Sequence, residues 1–320
     1  MQRLQYSILA VAIIALTCLT PARGRADDKT VLCFVSHKTS HGFGKHEYSA
    51  GSRLIGDWLG KVYPDRKIES RYSVGWPEKP DTFFSGADTV VFFCTGGGRH
   101  LVLGHEKVFD KLMRSGTGIA CLHYGVEVPK GTAGEGMLAW MGGYFETHWS
   151  VNPHWIPSFE VYPDHPVANG LKPFKIDDEW YFHMRFQEGL KGVTPILSAP
   201  APASTMKRPD GPHWGNPAVR AAVAAGKPQH VAWTYQRGKD YNNGRGFGFT
   251  GLHYHWNWED DNFRKCVLNG VAWTAGLPIP KHGIKTDRPT RQFLEANVLK
   301  YGGEQKPKPR KKKKPANQKK

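Results

Sequence analysis

The chain has 320 residues, 39% hydrophobic and 12% aromatic, so it is long enough to bury a substantial core. This composition excludes a low-complexity or wholly disordered protein. The formal net charge of +16 is concentrated at the two ends, with nine basic residues in Lys306–Lys320 and three in the first 26 residues. Charge in the rest of the chain is nearly balanced, which argues against a specific nucleic-acid partner.

The first 26 residues are typical of an export signal. Arg3 supplies a positive start, Tyr6–Leu19 is almost entirely apolar, and Gly24–Ala26 provides the small residues that a signal peptidase requires. An uncleaved membrane anchor is the alternative, although the apolar stretch is short for a span of about 20 residues. We therefore expect an exported protein, periplasmic or extracellular.

The opposite end of the chain is rich in lysine. Residues 306–320 contain no acidic side chain and too little apolar surface to fold. We expect one α/β domain over residues 27–280 and a C-terminal extension over 281–320 that is disordered from about residue 304. The basic tail either contacts an anionic surface or polymer, or is a solvated appendage.

Four apolar runs predict buried parallel strands: Val31–Ser36, Val90–Cys94, Gly118–Leu122 and Phe247–Leu252. A histidine directly follows three of them, and Thr95 with three glycines follows the fourth. In an open α/β sheet, ligands bind outside the carboxyl ends of the strands. A site rich in histidine and glycine is therefore expected along one edge of the sheet.

Helices and a further strand are expected between and after these runs. Apolar residues at helical spacing predict a helix from Tyr48, and Lys67–Tyr72 is a candidate edge strand. The glycine turn Gly96–Gly98 is expected to open a second helix, with its apolar face between Leu101 and Leu112. A last helix is predicted over Asp260–Ala275, ended by a Gly-Leu-Pro sequence.

The long middle segment, from Tyr124 to about Gly246, lacks helical periodicity and is rich in Pro, Gly, Trp and His. We expect it to be an irregular insertion that covers the carboxyl ends of the strands. Its short β-like pieces are Phe159–Tyr162, Trp180–Phe186, Thr194–Leu197 and His230–Tyr235.

Six ordered motifs resemble the ThuA family of trehalose-utilisation proteins. They are Gly118–Tyr124, Trp140–His148, Asp164–Leu171, Asp178–Tyr181, Gly251–His253 and Gly270–Trp273. The resemblance implies a flavodoxin-like three-layer α/β sandwich, like that of class I glutamine amidotransferases. It also implies a role in sugar metabolism.

The chain departs from the amidotransferases at the turn after the central strand. Those enzymes place a cysteine nucleophile there, whereas this sequence has His123, Tyr124 and Gly125. Cys121 precedes the turn and lies inside an apolar run, where cysteine usually behaves as a small buried hydrophobe. Cysteine-dependent glutamine hydrolysis is thus not expected, and water is the simplest nucleophile.

Imidazole and carboxylate groups are the candidates for activating that water, because histidine titrates near neutral pH. We assign proton transfer to His123, His253 and Glu179. His46 and Glu47, at the start of the first helix, are further candidates. The expected ligand-binding residues are His37, His41, Gly96, Gly97, Tyr124, His148, Tyr181 and His255.

A divalent metal such as zinc is a candidate cofactor, since several imidazoles with a carboxylate suit first-row divalent ions. His37, His123 and His253 are the candidate metal ligands. His253 and His255 lie on the same side if the strand continues, whereas a bend after Leu252 separates them. The alternative is that these histidines only hydrogen-bond the loops.

Many tryptophan and tyrosine residues lie in the covering segment, and such side chains suit the faces and hydroxyls of a sugar. The expected partner is a small carbohydrate or glycoside, and the oligomeric state stays open. We expect hydrolysis or isomerisation of an oxidised sugar or glycoside. The alternative is a non-catalytic glycan-binding module that uses the same cleft.

Overall fold

A seven-stranded sheet lies at the centre of the computed structural model, which describes residues 29–302. The predicted export signal and the predicted disorder of the Lys-rich tail lie outside the described residues and stay predictions. The strands of the central sheet are β1 (Lys29–Ser36), β2 (Lys67–Val74), β3 (Thr89–Phe93), β4 (Gly118–Leu122), β11 (Val193–Pro200), β12 (Pro228–Gln236) and β13 (Arg245–Phe249).

Three small antiparallel pairs supply the remaining strands of the described region. They are β5 (Gly143–Tyr144) with β10 (Arg185–Phe186), β6 (His154–Trp155) with β9 (Asp178–Glu179), and β7 (Ser158–Phe159) with β8 (Phe174–Lys175). The helices are α1 (Tyr48–Val62), α2 (Pro80–Phe83), α3 (Glu106–Arg114), α4 (Thr132–Met141), α5 (Pro217–Ala224), α6 (Asp261–Thr274) and α7 (Arg291–Tyr301).

The order of the central sheet is β11-β12-β13-β4-β3-β1-β2. The four predicted strands form its parallel middle, β13-β4-β3-β1, and β2 adds the predicted parallel edge. Because their side chains alternate between the two faces, both faces are apolar and each is covered by helices. The three-layer flavodoxin-like α/β sandwich is confirmed.

Two hydrophobic cores lie on the opposite faces of this sheet. Leu32 and Phe34 pack on one side with α1, α6 and α7. Val31 and Cys33 pack on the other side with α3 and α4. The carboxyl ends of β1, β3, β4 and β13 therefore share one edge between the helical layers, and this edge positions the site.

The middle segment is more regular than the sequence predicts. The pieces at Thr194–Leu197 and His230–Tyr235 belong to β11 and β12, which extend the central sheet in antiparallel fashion. The segment also contains α4 and α5. Both helices are short, and alanine with glycine makes up four of ten residues in α4 and four of eight in α5, so they lack the strong apolar periodicity that predicts a helix.

Two predicted boundaries are corrected. The glycine turn opens only a 3₁₀ turn, Gly97–Arg99, and α3 begins later, at Glu106. The last parallel strand stops at Phe249, three residues earlier than predicted. Among the described residues, no helix is long and apolar enough to cross a membrane, and the four cysteines there are buried and free.

His100, in the loop after β3, makes stability depend on pH. Its Nε2–H donates to the carbonyl oxygen of Gly125 at 3.1 Å, and burial lowers its pKa from 6.5 to about 3. Below pH 6.5 the unfolded chain therefore binds a proton that the folded chain does not bind. The free energy of unfolding should fall as the pH drops from 6.5 towards 4.

We expect His100→Gln, which keeps a donor and an acceptor, to remove about 1.4 kcal/mol per pH unit from this slope. Urea unfolding of the variant and the wild type between pH 6 and pH 4 measures the difference. Equal slopes would show that His100 does not titrate on unfolding.

Candidate functional site

Four residues from distant parts of the chain form a cluster at the carboxyl edge of the sheet. They are His46, His123, Glu179 and His253, and one potential ligand atom of each lies within 4.8 Å of the others. His46 precedes α1, His123 follows β4, Glu179 ends β9, and His253 follows β13. We call this set the four-residue cluster.

The closest contacts in the cluster are between ring nitrogens. His46 Nε2 lies 3.0 Å from His123 Nε2 and 2.9 Å from His253 Nδ1. The Oε2 atom of Glu179 lies 3.0 Å from His253 Nδ1, 3.6 Å from His123 Nε2 and 3.9 Å from His46 Nε2. Three nitrogens and one carboxylate oxygen thus converge on one point.

The hydrogen bond of His123 on its other ring nitrogen sets its tautomer. His123 Nδ1 lies 2.8 Å from the carbonyl oxygen of Thr250, which can only accept. The proton is therefore on Nδ1, and the Nε2 lone pair of the neutral ring faces the cluster. A histidine that donates its outer N–H to a carbonyl in this way is typical of metal sites.

Three residues in or beside the cluster have a strained backbone. His46, His123 and Leu252 have φ angles of 49°, 51° and 89°, in the left-handed region that costs non-glycine residues about 1–3 kcal/mol each. Such strain occurs most often at functional sites. The backbone N–H of His46 also donates to the carbonyl oxygen of His253 at 3.0 Å, which ties the two segments together.

Asp178 holds the turn that carries His253. Its fully buried carboxylate accepts the backbone N–H groups of Leu252, His253 and Glu179, at 2.7–2.9 Å, and the side-chain amide of Asn257. Two members of the cluster are therefore positioned by one carboxylate.

Burial keeps the imidazoles of His46 and His123 neutral. It lowers the pKa of His46 to about 4 and the pKa of His123 well below its usual value of 6.5. Burial would raise the pKa of Glu179, but hydrogen bonds from His253 and His46 outweigh it and hold that pKa well below its usual range. Neutral imidazole and ionised carboxylate are the forms that bind a metal.

The cluster opens towards solvent on the side of Glu179. His123 is fully buried, whereas 14% of the Glu179 side chain and 45% of the His154 side chain are exposed. Asn152 donates to Glu179 Oε1 at 3.2 Å, and His154 Nε2 lies 4.0 Å from the same oxygen. Glu179 and His154 are therefore the groups that a ligand reaches first.

Several residues expected to bind ligand surround the cluster. The ring of His41 lies 3.7 Å from the ring of His46, and Tyr124 makes an edge contact with His46 at 5.9 Å. The hydroxyl of Tyr181 lies 3.3 Å from His123 Nε2 and 3.5 Å from Glu179 Oε2. The structure thus groups the three expected proton-transfer residues with His41, Tyr124 and Tyr181.

Other expected residues do not join the cluster. The bend at Leu252 separates His255 from His253, and His255 is buried against Asn297 at 3.1 Å. His37 lies at the same edge of the sheet, but its Nδ1 accepts the backbone N–H of Thr95. The exposed His148 makes no ring contact with the cluster.

The glycine turn serves packing. A Cβ on Gly96 would lie 2.1 Å from the carbonyl oxygen of Tyr124, so only glycine fits this close approach. The N–H of Gly97 donates to the carbonyl oxygen of Glu127 at 2.9 Å, so this donor is already used within the protein.

The sequence indicates His46 as a candidate without a metal-binding role, and it gives no indication of Asn152 or His154. His46 follows no apolar run, and nothing in the local sequence around Asn152 or His154 indicates a site. Several tryptophans in or beside the covering segment pack in the core: Trp140, Trp155, Trp180 and Trp258 are buried.

The arrangement fits a divalent metal ion. Donor atoms around a tetrahedral zinc ion lie about 3.3 Å apart, as follows from bonds of about 2.0 Å, and most separations in the cluster lie within 0.6 Å of that value. Three imidazole nitrogens and one carboxylate oxygen form a ligand set that zinc and related ions accept.

Comparisons with known proteins include one family match and two similar solved structures. The ThuA family model, described as trehalose utilisation, matches residues 34–274. A solved ThuA-like protein from Bacteroides uniformis is 16% identical, with a TM-score of 0.54, over 80% of this chain and 94% of that one. One from Parabacteroides merdae is 16% identical, with a TM-score of 0.49, over 83% and 99%. No curated protein matches the chain.

Proposed function

The chain belongs to the ThuA family of trehalose-utilisation proteins, and from this premise we propose that it is a metal-dependent enzyme that hydrolyses or isomerises an oxidised sugar or glycoside. Family membership associates the chain with carbohydrate utilisation. The single observation that supports the chemistry is the convergence of three imidazoles and one carboxylate on one point.

The metal ligands in this proposal are His46, His123 and His253, with Glu179 on the solvent side. A divalent ion held there would polarise a sugar oxygen or lower the pKa of a bound water. The outward hydrogen bond of His123 to Thr250 and the neutral state of the buried rings support this assignment.

Proton transfer is assigned to groups that a substrate can reach. His123 is fully buried, and its inward nitrogen is committed to the cluster. His154 is half-exposed, and its Nε2 lies 4.0 Å from the carboxylate of the metal-ligating Glu179, so it is better placed to take a proton from a hydroxyl or water and return it to a leaving oxygen. This revises the proton-transfer role expected for His123, His253 and Glu179.

Tyr181 and Asn152 orient the carboxylate. The Tyr181 hydroxyl lies 3.5 Å from Glu179 Oε2, and Asn152 donates to Glu179 Oε1 at 3.2 Å. Tyr254, whose hydroxyl lies 3.3 Å from His154 Nδ1, provides a partly exposed aromatic ring beside the opening. Such a ring suits the apolar face of a sugar.

Elemental analysis of the purified full chain, followed by thermal-shift measurement with saccharides and keto-sugars, tests the proposal. We expect about one divalent ion per chain and a lower melting temperature after chelation. A sugar present at 100 times its Kd stabilises by about 2.7 kcal/mol, which corresponds to a shift of roughly 5 °C for a domain of this size.

Turnover separates catalysis from binding. The proposal predicts release of a hydrolysis or isomerisation product from at least one saccharide that gives a shift. Saccharide binding without turnover in the metal-loaded protein would instead favour the glycan-binding module. Absence of both metal and saccharide binding would refute the proposal.

A further inference from the structure

The loop between the 3₁₀ turn Ala203–Met206 and α5 borders the opening of the cluster. We call residues 206–216 the recognition loop. The backbone N–H of Asn152 donates to the carbonyl oxygen of His213 at 3.1 Å, and His213 Nε2 lies 3.0 Å from Glu127 Oε1. Since Glu127 follows the turn that begins at His123, the loop contacts both walls of the opening.

Arg220 in α5 stabilises this loop internally. Its guanidinium donates to the carbonyl oxygens of Met206 and Arg208 at 2.6 and 2.7 Å and to the carboxylate of Asp210 at 2.8 Å. The loop is therefore held in one shape before any ligand binds, which reduces the entropy cost of recognition.

The recognition loop brings a free positive charge next to the cluster. Arg208 Nη2 donates to Asn152 Oδ1 at 3.3 Å, and Asn152 donates in turn to Glu179. Among the residues of the described chain, Arg208 forms no ion pair, although it is only partly exposed. A partly buried guanidinium without an anionic partner is well suited to bind one from a ligand.

Two more cations surround the same opening without an ion-pair partner in the described region. The Lys45 ammonium lies 5.4 Å from the centre of the Tyr254 ring, beside His154. The guanidinium of Arg99 lies near His37 and Tyr124 and interacts electrostatically with both. Asp177 is an exposed acid near Tyr254, and Glu179 is a further acid at the opening.

The geometry points to an anionic sugar as the substrate, with its carboxylate or phosphate bound by Arg208 and a reacting oxygen at Glu179. This inference rests on the proposed function and adds its substrate class. The planar guanidinium binds both kinds of anion through two parallel hydrogen bonds. Lys45 and Arg99 add attraction at longer range, and this attraction weakens with salt.

Isothermal titration of the zinc-loaded full chain with glucose, glucuronate and glucose 6-phosphate tests the inference at low salt. We expect at least one of the two anions to bind about tenfold or more tightly than glucose. The better anion identifies the carboxylate or phosphate as the recognised group. Equal affinity for all three sugars, or no binding of any of them, would overturn the inference.

Substitutions of Arg208 test whether this residue binds the anionic group. Arg208→Gln is expected to remove the preference for the anion, and Arg208→Lys, which keeps the charge without the planar fork, to retain part of it. Arg288→Gln, at a position with a 70% exposed side chain beside Glu259, is the matched control and should keep the full preference. A preference that persists in Arg208→Gln would show that Arg208 is not the anion site.

The two proposals fail in different ways. If neutral sugars bind and turn over while anions do not bind better, the substrate class is wrong and the proposed enzyme stands. If anions bind at Arg208 but no metal is retained and no sugar is turned over, the metal-dependent enzyme is wrong. Metal content is measured on the same samples, so the two outcomes are read separately.

Discussion

Replacement of His123 by alanine is expected to lower zinc affinity by at least about 100-fold and to abolish turnover. Four ligands share a binding free energy of about 10–16 kcal/mol in structural zinc sites, so one ligand accounts for about 3 kcal/mol. The variant loses the His123 nitrogen that lies 3.0 Å from His46 Nε2, so only His46, His253 and Glu179 remain as ligands. Competition with a fluorescent zinc chelator measures the affinity.

Two further variants make this result interpretable. His123→Asn keeps a residue type that tolerates the left-handed backbone at this position, so it separates metal loss from misfolding. His37→Asn removes another histidine at the same edge of the sheet, one outside the cluster, and should leave zinc affinity unchanged. Full zinc affinity in both His123 variants would exclude His123 as a ligand.

The second large effect is expected at Asp178. Alanine there leaves the backbone N–H groups of Leu252, His253 and Glu179 without their buried acceptor. Each unsatisfied buried donor costs about 1–3 kcal/mol. Asp178→Ala should therefore lower the free energy of unfolding by about 3–5 kcal/mol, as measured by urea denaturation, and weaken zinc binding by releasing the His253 turn.

Asparagine at this position provides the matched comparison. Asp178→Asn keeps one acceptor oxygen of similar shape but presents an amide donor to the groups that the other oxygen bound. We expect its stability to lie between those of the wild type and Asp178→Ala. If Asp178→Ala unfolds at the same urea concentration as the wild type, the carboxylate does not hold the turn.

The parallel middle of the sheet was predictable from local sequence. Buried parallel strands are apolar on both faces, so runs such as Val90–Cys94 and Gly118–Leu122 can be recognised as strands from local sequence alone. The antiparallel edge was not predictable in the same way. The residues of β11 and β12 have no local signal that distinguishes them from strands in a loop, because pairing decides it: β12 pairs with β13, and β11 pairs with β12.

The two histidines predicted at the end of the last parallel strand, His253 and His255, take different directions after Leu252. From sequence alone, His253 and His255 lie on one side of a continuing strand or are separated by a bend. The strand ends at Phe249, and the positive φ of Leu252 sends His255 towards Asn297 while His253 faces His46. Hydrogen bonds from Leu252 and His253 to Asp178 stabilise that bend, and Asp178 is more than 70 residues away.

The sequence by itself determined the α/β class, the family resemblance and the edge of the sheet on which histidines gather, because hydrophobic periodicity and strand-end residues are local properties. Only the tertiary structure decided which side chains meet. His46, Glu179 and Arg208 belong to segments with no regular pattern, and their separations depend on contacts between residues tens to hundreds of positions apart. Such contacts form when the chain packs, and no local pattern encodes them.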